Sequence, residues 1–305
     1  MLYNIDFVFP YVNPADPNWR KQYKYFKGSE YADCDTRFRD FSLLKYIFRS
    51  IDTYAPWITR VVMIVAYKSQ VPSFLKESNR LKIVEHKDFI PDTYRPTFNS
   101  NTIEMFIPKI QGLSEHFIYS NDDLLFINKV SSLNYFPLDN MLNLSYTFRK
   151  NVAPTGFQGS VKRTWDTVEN FFGRKPLLGK DYKYLKQYHG SASPRLLSDC
   201  IACYKDLEPR ILDSLTLFRN VDVNINQYLF GYYSLLKGHA QVVPFEQQGV
   251  YVAGEDGKEK ILDAIWNSPA KMLCINDTTT MTSDLIGLIY TELEKKFPIK
   301  SAYEV

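Results

Sequence analysis

An Asn-Asp-Asp triplet inside an apolar run is the feature of this 305-residue chain with the clearest chemistry. Asn121, Asp122 and Asp123 interrupt positions 117–126, which otherwise have the apolar character of a buried β-strand. Burying carboxylates is costly unless they meet a metal ion, a cation or several hydrogen-bond donors. Two adjacent acids at the end of a core strand therefore favour a site where Mg²⁺ or Mn²⁺ meets a diphosphate. The triplet is equally typical of a turn capped by Asp, so the rest of the chain must decide.

A second group of polar residues follows the first predicted strand. Positions 5–12 form a largely apolar run that contains one aspartate, Asp6, and Asn13, Pro14 and Asp16 come soon after it. The loop after the first strand of an α/β sheet belongs to the crevice where such sheets bind ligands. We therefore expect Asn13 and Asp16 to contact a substrate, in a loop that the proline stiffens.

Composition and charge narrow the class of protein. The chain is 45% hydrophobic and 23% charged, which is ordinary for a soluble globular protein, and its net charge is +3. That charge is too small to indicate a nucleic-acid partner, but it is compatible with mild attraction to an anionic membrane or a charged glycan. No apolar run in the sequence is long enough to span a bilayer, and no secretory signal is expected.

The four cysteines favour a reducing compartment. Cys200 and Cys203 form a Cys-x-x-Cys pair, but the sequence has no second pair at zinc-site spacing. Positions on the same face of a helix explain this pair better than a redox role does. We therefore expect a cytoplasmic protein, with peripheral association at the inner face of the membrane left open.

Predicted strands and helices alternate over the first part of the chain. Apolar and amphipathic periodicity predicts strands at 5–12, 60–66, 81–84 and 117–126 and helices at 40–54 and 100–107. This alternation predicts an α/β fold with a Rossmann-like nucleotide-binding core and a mainly parallel sheet.

Residues 130–186 have a different composition. They are rich in Asn, Pro, Gly, Lys and aromatic residues and lack long periodic segments. This pattern predicts a loop-rich or helical insertion that serves as a lid or as an acceptor-binding region. The catalytic α/β core is then expected to comprise residues 1–129 and 187–305, with a terminal helix at 283–297.

Four blocks of the sequence, in the same order, resemble the conserved blocks of the Stealth family. The first block is IDFVFPYVNPADP at 5–17, and the second runs from Arg37-Phe38-Arg39-Asp40 through Pro96-Thr97-Phe98-Asn99-Ser100 to the Asn-Asp-Asp triplet. A third lies around His189, and a fourth runs from Cys274-Ile275-Asn276-Asp277 to Tyr303-Glu304. The order of the blocks makes this resemblance far more specific than any one of them.

The Stealth family comprises sugar-1-phosphate transferases of bacterial capsule and exopolysaccharide synthesis, together with the animal N-acetylglucosamine-1-phosphotransferase. The resemblance implies a glycosyltransferase A-like nucleotide-sugar-binding core and a UDP-sugar donor. A hydroxyl of a glycan or lipid-linked glycan acceptor would attack the phosphorus nearer the sugar. UMP would leave and a phosphodiester would form, whereas an ordinary glycosyltransferase breaks the bond at the anomeric carbon.

The resemblance also implies roles for individual residues. Glu104 joins Asp122 and Asp123 as a ligand of Mg²⁺ or Mn²⁺ on the donor phosphates. His189 corresponds to the family's functional histidine and is a candidate for the base that takes the acceptor proton, with Asp123 as its rival. Arg219 matches a late arginine of the family, whose guanidinium suits phosphate oxygens. Asp123, His189 and Arg219 are thus the expected catalytic residues.

Further residues are expected to contact the donor or the acceptor. They are Asn13, Asp16, Arg37, Arg49, Asn99, Ser100, Asn121 and Asp277. Arg49 lies on the helix predicted at 40–54, where support of the fold is an equally reasonable role. A turn-capping role is a strong alternative for Asp277.

Two other functions are compatible with parts of this pattern. A metal-dependent glycosyltransferase that forms ordinary glycosidic bonds would use similar Asp-Asp chemistry, and its product would be UDP. A noncatalytic glycan-binding protein would use the many aromatic side chains, which make up 15% of the residues, and would show no metal-dependent turnover.

Overall fold

The computed structural model describes residues 3–28, 43–151, 153, 155–173, 184–244 and 248–305. Arg37 lies outside these ranges, so the structure does not place this predicted substrate contact. The helices are α1 (Pro17–Lys27), α2 (Leu44–Tyr54), α3 (Ser100–Phe106), α4 (Gly156–Phe172), α5 (Leu197–Asp213), α6 (Tyr228–Lys237), α7 (Gly257–Trp266) and α8 (Ser283–Lys296). Among these helices of the described residues, none combines the length and apolar character that a membrane span requires.

The strands form one central sheet and three smaller ones. They are β1 (Ile5–Pro10), β2 (Arg60–Val65), β3 (Leu81–Glu85), β4 (His116–Tyr119), β5 (Leu124–Phe126), β6 (Leu142–Leu144), β7 (Tyr146–Arg149), β8 (Tyr184–Gln187), β9 (Ser193–Leu196), β10 (Ala240–Val242), β11 (Gly249–Ala253) and β12 (Met272–Asn276). The central sheet has the order β3-β2-β1-β4-β9, and the second sheet has the order β11-β12-β5. Strands β6 and β10 form one further pair, and β7 and β8 form the other.

The central sheet is mainly parallel, as the sequence predicted. Strand β1 pairs in parallel with β2 and β4, β2 pairs in parallel with β3, and β9 runs antiparallel to β4. Side chains on both faces of β1 are fully buried, as at Phe7, Val8 and Phe9. Parallel strands covered on both faces read as continuous apolar runs, which is why this strand could be located from its sequence. The predicted α/β fold is confirmed.

The structure corrects the single strand expected at 117–126. Strand β4 ends at Tyr119 in the central sheet, whereas β5 begins at Leu124 and pairs antiparallel with β12 in the second sheet. The Asn-Asp-Asp triplet is the turn that connects the two sheets. Both flanking segments are buried, and periodicity cannot reveal that two buried strands belong to different sheets.

The segment 130–186 contains a longer helix than its composition indicated. Helix α4 spans 17 residues and packs against α6. Its buried face includes Gly159, Ser160 and Thr164 beside Val161 and Trp165. Apolar and polar residues do segregate onto two faces of α4, so the absence of long periodic segments expected for 130–186 was wrong at this helix.

The expected helical placement of the Cys-x-x-Cys pair and the expected terminal helix are both confirmed. Cys200 and Cys203 both lie buried on α5. The hydroxyl of Thr282 accepts a hydrogen bond from the backbone N–H of Leu285 at 3.3 Å, so Thr282 caps the terminal helix α8.

Candidate active site

A cavity of about 350 Å³ opens where β1 and β4 end. Strands β2 and β3 follow β1 on one side of it, while β4 lies on the other side. Ligands of open α/β sheets bind in the crevice at such a switch point, beyond the carboxyl ends of the strands. The walls of the cavity come from the ends of both strands, from α3 and from loops later in the chain; they include Tyr11, Val12, Ser100, Glu104, Asn121, Asp122, Asp123, Phe157, His189, Arg219, Gln227, Tyr228, Asn276 and Asp277.

Asp123 projects from the connection between the two sheets into this cavity. Its Oδ2 lies 3.4 Å from the Sγ of Cys274, which donates to it, and its backbone carbonyl accepts from the N–H of Ile275 at 3.0 Å. Its Oδ1 is buried and makes no hydrogen bond to another residue in the described part of the chain. Burial raises the pKa of Asp123, and the nearby His189 opposes that shift. A buried carboxylate oxygen without a donor is suited to a cation.

His189 faces Asp123 across the cavity. Its Nε2 lies 3.9 Å from Oδ2 of Asp123, and 39% of its side chain is exposed. Its ring also meets the edge of Tyr251 on β11, with the centroids 5.5 Å apart. The loop that carries His189 packs closely against β11 at Gly249. A Cβ atom added to Gly249 would lie only 1.9 Å from the carbonyl oxygen of Gly190. Glycine at position 249 permits this close approach, which fixes the position of His189.

Glu104 forms part of another wall of the cavity, on α3. Its side chain is buried, and its Oε1 accepts a hydrogen bond from the Tyr119 hydroxyl at 2.8 Å. Burial raises the pKa of Glu104, while this hydrogen bond and the charges of Arg219 and Arg195 act in the opposite direction. The Tyr119 hydroxyl also lies 3.3 Å from Oδ1 of Asn121. One tyrosine thus connects Glu104 to the Asn-Asp-Asp triplet.

The predicted metal ligands do not form one compact group. Within the described ranges, the group of at least three Asp, Glu, His or Cys residues whose ligand atoms all lie within 4.8 Å of one another is Asp123, His189 and Cys274. Glu104 and Asp122 are therefore not part of a preformed group of that kind with Asp123. Mg²⁺, however, is usually held by one or two carboxylates together with substrate phosphates. Asp122 and Asp123 alone are compatible with that mode.

Arg219 comes from the loop that follows α5. This loop pairs with the segment before α3, since the backbone N–H of Phe98 donates to the carbonyl of Leu217 at 2.8 Å. The guanidinium of Arg219 donates to the hydroxyl of Ser100, the first residue of α3. Both residues line the cavity. The pairing places an exposed positive charge near the acids of the triplet.

The remaining predicted contacts divide into two groups. Asn121 and Asp277 line the cavity, and their contacts with a substrate stay predictions. Asn99 is fully buried instead, and its side-chain amide donates to Thr216 Oγ1 at 3.0 Å and to Asn224 Oδ1 at 3.1 Å. The side-chain amide of Asn99 is thus used within the protein. We therefore assign Asn99 a supporting role in the wall of the cavity.

The loop after β1 is also built from internal contacts. Asn13 Oδ1 accepts from the backbone N–H of Ala15 at 2.9 Å, and Asp16 Oδ1 accepts from that of Trp19 at 2.8 Å as the cap of α1. Neither residue is among those that line the cavity. The structure gives both side chains local structural roles, and their contacts with substrate stay predictions.

Arg49 supports the fold at a distance from the cavity. It is buried on α2, and its Nε and a terminal nitrogen bind both carboxylate oxygens of Glu304 at 2.9 and 3.0 Å. It also donates to Glu294 at 3.1 Å and to the carbonyl of Phe297 at 2.7 Å. Of the two roles that the sequence left open for Arg49, the structure favours attachment of the C-terminal segment.

Several cavity residues were not identified from the sequence. Phe157 comes from the start of α4, and Asn226, Gln227 and Tyr228 come from the start of α6. Asn226 and Gln227 are polar residues directly before the apolar helix α6, a position from which a loop can present polar groups to a ligand. Phe157 gave no such signal, because an isolated phenylalanine most often fills the core.

Comparison with known proteins finds one matching family model and several full-length relatives. Residues 37–144 match the family model Stealth protein CR2, conserved region 2. The exopolysaccharide phosphotransferase cps2G of Lactiplantibacillus plantarum is 26% identical over 99% of this chain and 96% of its own length. The capsular polysaccharide phosphotransferase WcwK of Streptococcus pneumoniae is 29% identical over the whole of both chains. The exopolysaccharide phosphotransferase SCO2594 of Streptomyces coelicolor is 30% identical over 98% of this chain and 51% of its own length.

Among solved structures, the galactosyltransferase LgtC in complex with donor and acceptor sugar analogues aligns over 95% of both chains, with 11% identity and a TM-score of 0.45. That similarity is too low to support an inference. The family model and the full-length relatives agree with the resemblance seen in the ordered blocks of the sequence. Residues 37–144 thus match a conserved region of the Stealth family, and the full length of the chain is similar to capsular and exopolysaccharide phosphotransferases.

Proposed function

We propose that this enzyme transfers hexose-1-phosphate or N-acetylhexosamine-1-phosphate from a UDP-sugar to a hydroxyl of a glycan or lipid-linked glycan. The product is a phosphodiester, the leaving group is UMP, and the reaction belongs to capsule or exopolysaccharide synthesis. The observation that carries this proposal is the cavity that combines Asp122, Asp123, His189 and Arg219 at the switch point of the sheet. Relatives that match the whole chain and are named capsular or exopolysaccharide phosphotransferases support it.

The two acids of the triplet would hold the divalent cation, Mg²⁺ or Mn²⁺. Asp123 offers a buried oxygen without a donor from another residue in the described ranges, and Asp122 lies beside it at the cavity. When bound, such a cation would neutralise charge on the donor diphosphate. Glu104 contributes through its hydrogen bond with Tyr119, which positions the wall next to Asn121.

His189 is the better candidate for the base. The hydroxyl oxygen of the acceptor forms a bond to the phosphorus nearer the sugar, the bond from that phosphorus to the UMP oxygen breaks, and the hydroxyl proton passes to Nε2 of His189. The resulting imidazolium lies next to the Asp123 carboxylate, 3.9 Å away, which stabilises its charge. Asp123 is largely buried and bonded by Cys274, so it is less accessible to an incoming hydroxyl.

Arg219 is placed to balance charge that develops on the transferring phosphoryl group. Phosphoryl transfer depends mainly on positioning and on electrostatic stabilisation of the equatorial oxygens. The guanidinium is exposed at the cavity and is oriented by Ser100. A planar fork of N–H donors matches the geometry of phosphate oxygens.

We assign the acceptor side of the cavity to the segment 130–186. The side chain of Phe157 on α4 lines the cavity and is 44% exposed. Its ring is held edge-on to Tyr228 with the centroids 6.3 Å apart. An exposed, oriented aromatic face at the entrance of a polar cavity is suited to stacking on a sugar ring.

A cytoplasmic location is part of the proposal. The three cysteines within the described ranges, Cys200, Cys203 and Cys274, are free and buried, as expected where thiols stay reduced. Cell fractionation with a tagged chain tests the location.

The products of turnover test the reaction. The purified enzyme is incubated with Mg²⁺, a panel of UDP-sugars and an acceptor glycan, and phosphorus NMR follows the products. We expect a phosphodiester resonance to appear together with an equal amount of UMP. Release of UDP, without a phosphodiester, would establish an ordinary glycosyltransferase instead. Absence of both products under all donors, with donor binding retained, would favour a noncatalytic glycan-binding protein.

A further inference from the structure

We propose that Asp123, His189 and Cys274 form a binding site for a soft divalent cation of the Zn²⁺ class, and that this cation inhibits the enzyme. The three side chains present one carboxylate oxygen, one imidazole nitrogen and one sulfur, all within 4.8 Å of one another. Binding at this site is independent of the proposed reaction, whereas inhibition rests on the proposed function of His189 and Asp123.

The distances between the ligand atoms are close to those of a tetrahedral zinc site. Asp123 Oδ2 lies 3.4 Å from Cys274 Sγ and 3.9 Å from His189 Nε2. Bond lengths of zinc to oxygen, nitrogen and sulfur place tetrahedral ligand atoms about 3.3–3.6 Å apart. A small movement of the half-exposed His189 therefore completes the geometry.

The second sheet holds all three ligands in place. Cys274 is a fully buried residue of β12, and the backbone carbonyl of Asp123 accepts from Ile275 in the same strand. The loop of His189 contacts β11 at Gly249, and β11 pairs with β12 along its whole length. Ligands on one rigid support lose little conformational entropy when a metal binds.

The donor set selects the kind of cation. Carboxylate, imidazole and thiolate together suit Zn²⁺, whereas Mg²⁺ prefers oxygen ligands. Three protein ligands leave a fourth position open toward the cavity, which both Asp123 and His189 line. On binding, the Cys274 thiol releases its proton to solvent and the thiolate bonds to the metal.

Inhibition follows from the atoms that the cation occupies. Coordination uses the lone pair of His189 Nε2, which therefore no longer accepts the proton of the acceptor hydroxyl. It also uses Oδ2 of Asp123 and weakens the attraction of this carboxylate for Mg²⁺. Micromolar Zn²⁺ is thus expected to reduce UMP release by more than about tenfold at saturating Mg²⁺, as loss of general base catalysis predicts.

Cobalt(II) is the probe that tests the site without turnover. Titration of the wild-type protein with Co²⁺ is expected to give the visible bands of a tetrahedral ion and a near-ultraviolet thiolate-to-cobalt band. Both should reach their limit at one equivalent and should disappear when Zn²⁺ is added. The variant Cys274→Ser should lose the thiolate band, whereas Cys200→Ala and Cys34→Ser should keep it.

The site is disproved if no thiolate band forms, or if that band persists in Cys274→Ser with the wild-type circular dichroism spectrum. Should Cys274→Ser fold poorly, His189→Ala provides the second variant, because its side chain is 39% exposed. It should bind Co²⁺ at least about tenfold more weakly. Cobalt binding without UMP release would overturn only the proposed function, and UMP release without cobalt binding would overturn only this inference.

Discussion

The Nε2 atom of His189 lies 3.9 Å from Oδ2 of Asp123, which belongs to the connection between the two sheets. This separation is too long for a hydrogen bond and short enough for an ion pair once the imidazole is protonated. The electrostatic attraction between the Asp123 carboxylate and His189 is therefore strongest when the imidazole is protonated. Such a pair stabilises the product of proton transfer more than its starting state, which is what catalysis requires.

Replacement of His189 tests this arrangement. His189→Ala is expected to lower the rate of UMP release by about 10²–10⁴-fold, because the acceptor proton loses its base. Binding of the UDP-sugar, measured by calorimetry, should change little. His239→Ala is the matched control, since His239 pairs with Asp199 at 3.0 Å outside the cavity and should keep wild-type turnover. Equal loss in both variants would show that histidine removal acts through the fold.

The pair of Arg219 and Ser100 gives a prediction about charge at the phosphate. Arg219→Ala should reduce turnover by about 10²–10³-fold, the usual effect of removing a donor to the transition state. Arg219→Lys should recover part of that loss, because it keeps the charge without the planar fork.

Replacement of Ser100 tests whether its hydroxyl orients the guanidinium of Arg219. Ser100→Ala alone should cost far less than Arg219→Ala, since it removes only the hydroxyl that accepts from the guanidinium. In the double variant the effect of Ser100→Ala should vanish, because its partner is already absent. Steady-state rates of the four proteins measure this coupling. Additive effects would mean that Ser100 acts independently of Arg219.

Burial of Glu104 makes stability depend on pH. Its pKa is raised in the folded protein by burial, so the folded state holds this proton to a higher pH than the unfolded chain does. Below the pKa of the unfolded chain both states are protonated and burial has no ionic cost. As pH rises through the raised pKa, the unfolded state ionises more readily and the folded state loses stability.

Glu104→Gln removes that cost and keeps an acceptor for Tyr119. We expect the variant and the wild type to have similar melting temperatures near pH 4.5, and the variant to melt about 2 °C or more higher at pH 8. Differential scanning calorimetry over this pH range makes the comparison. The exposed Glu208→Gln on α5 serves as the control and should show no such dependence. A variant that is less stable at pH 8 would contradict the sign.

The sequence predicted the central part of the site because parallel strands impose it. Ligands of such sheets bind beyond the carboxyl ends of the strands, and the triplet after β4 lines the cavity there, whereas Asn13 and Asp16 after β1 do not. The ordered family blocks added His189 and Arg219, and the structure brings both to the same cavity as Asp122 and Asp123. Their chemical roles remain predictions.

Other parts of the site depend on contacts that no local pattern contains. Asn99 has the position and chemistry of a ligand contact, yet its amide is used by Thr216 and Asn224, more than one hundred positions away in the chain. Phe157 reaches the cavity because α4 packs on α6, a helix that lies more than fifty positions later in the chain. Only the tertiary arrangement decides such cases.

The aromatic residue at the entrance predicts how acceptor binding changes. Phe157→Ala should raise the KM for the acceptor glycan by about fivefold or more, since loss of a stacking contact costs about 1 kcal/mol. The KM for the UDP-sugar should stay close to the wild-type value, and Phe157→Tyr should retain the acceptor KM. Phe171→Ala is the matched control on the same helix, because Phe171 is 46% exposed and lies outside this cavity. An unchanged acceptor KM in Phe157→Ala would place the acceptor elsewhere.

Attachment of the C-terminal segment through Arg49 predicts a loss of stability. Arg49 and Glu304 are almost completely buried and share two hydrogen bonds. Removal of Arg49 leaves the Glu304 carboxylate buried without a counter-charge, with the N–H and hydroxyl of Ser301 as its donors, and loss of one partner of a buried pair typically costs about 3–5 kcal/mol. Arg49→Ala should therefore lower the free energy of unfolding by about that amount, as measured by urea denaturation.

Glu294 supplies the control for the contact between Arg49 and Glu304. It also binds Arg49, at 3.1 Å, but its side chain is 44% exposed. Glu294→Gln should therefore cost no more than about 1 kcal/mol, the usual limit for an exposed ion pair. If Arg49→Ala left stability unchanged but weakened binding of the UDP-sugar, Arg49 would act at the donor instead of in the fold. Because Arg49 reaches the segment that carries Tyr303-Glu304, the expected result also explains why the first and last parts of the chain form one folded unit.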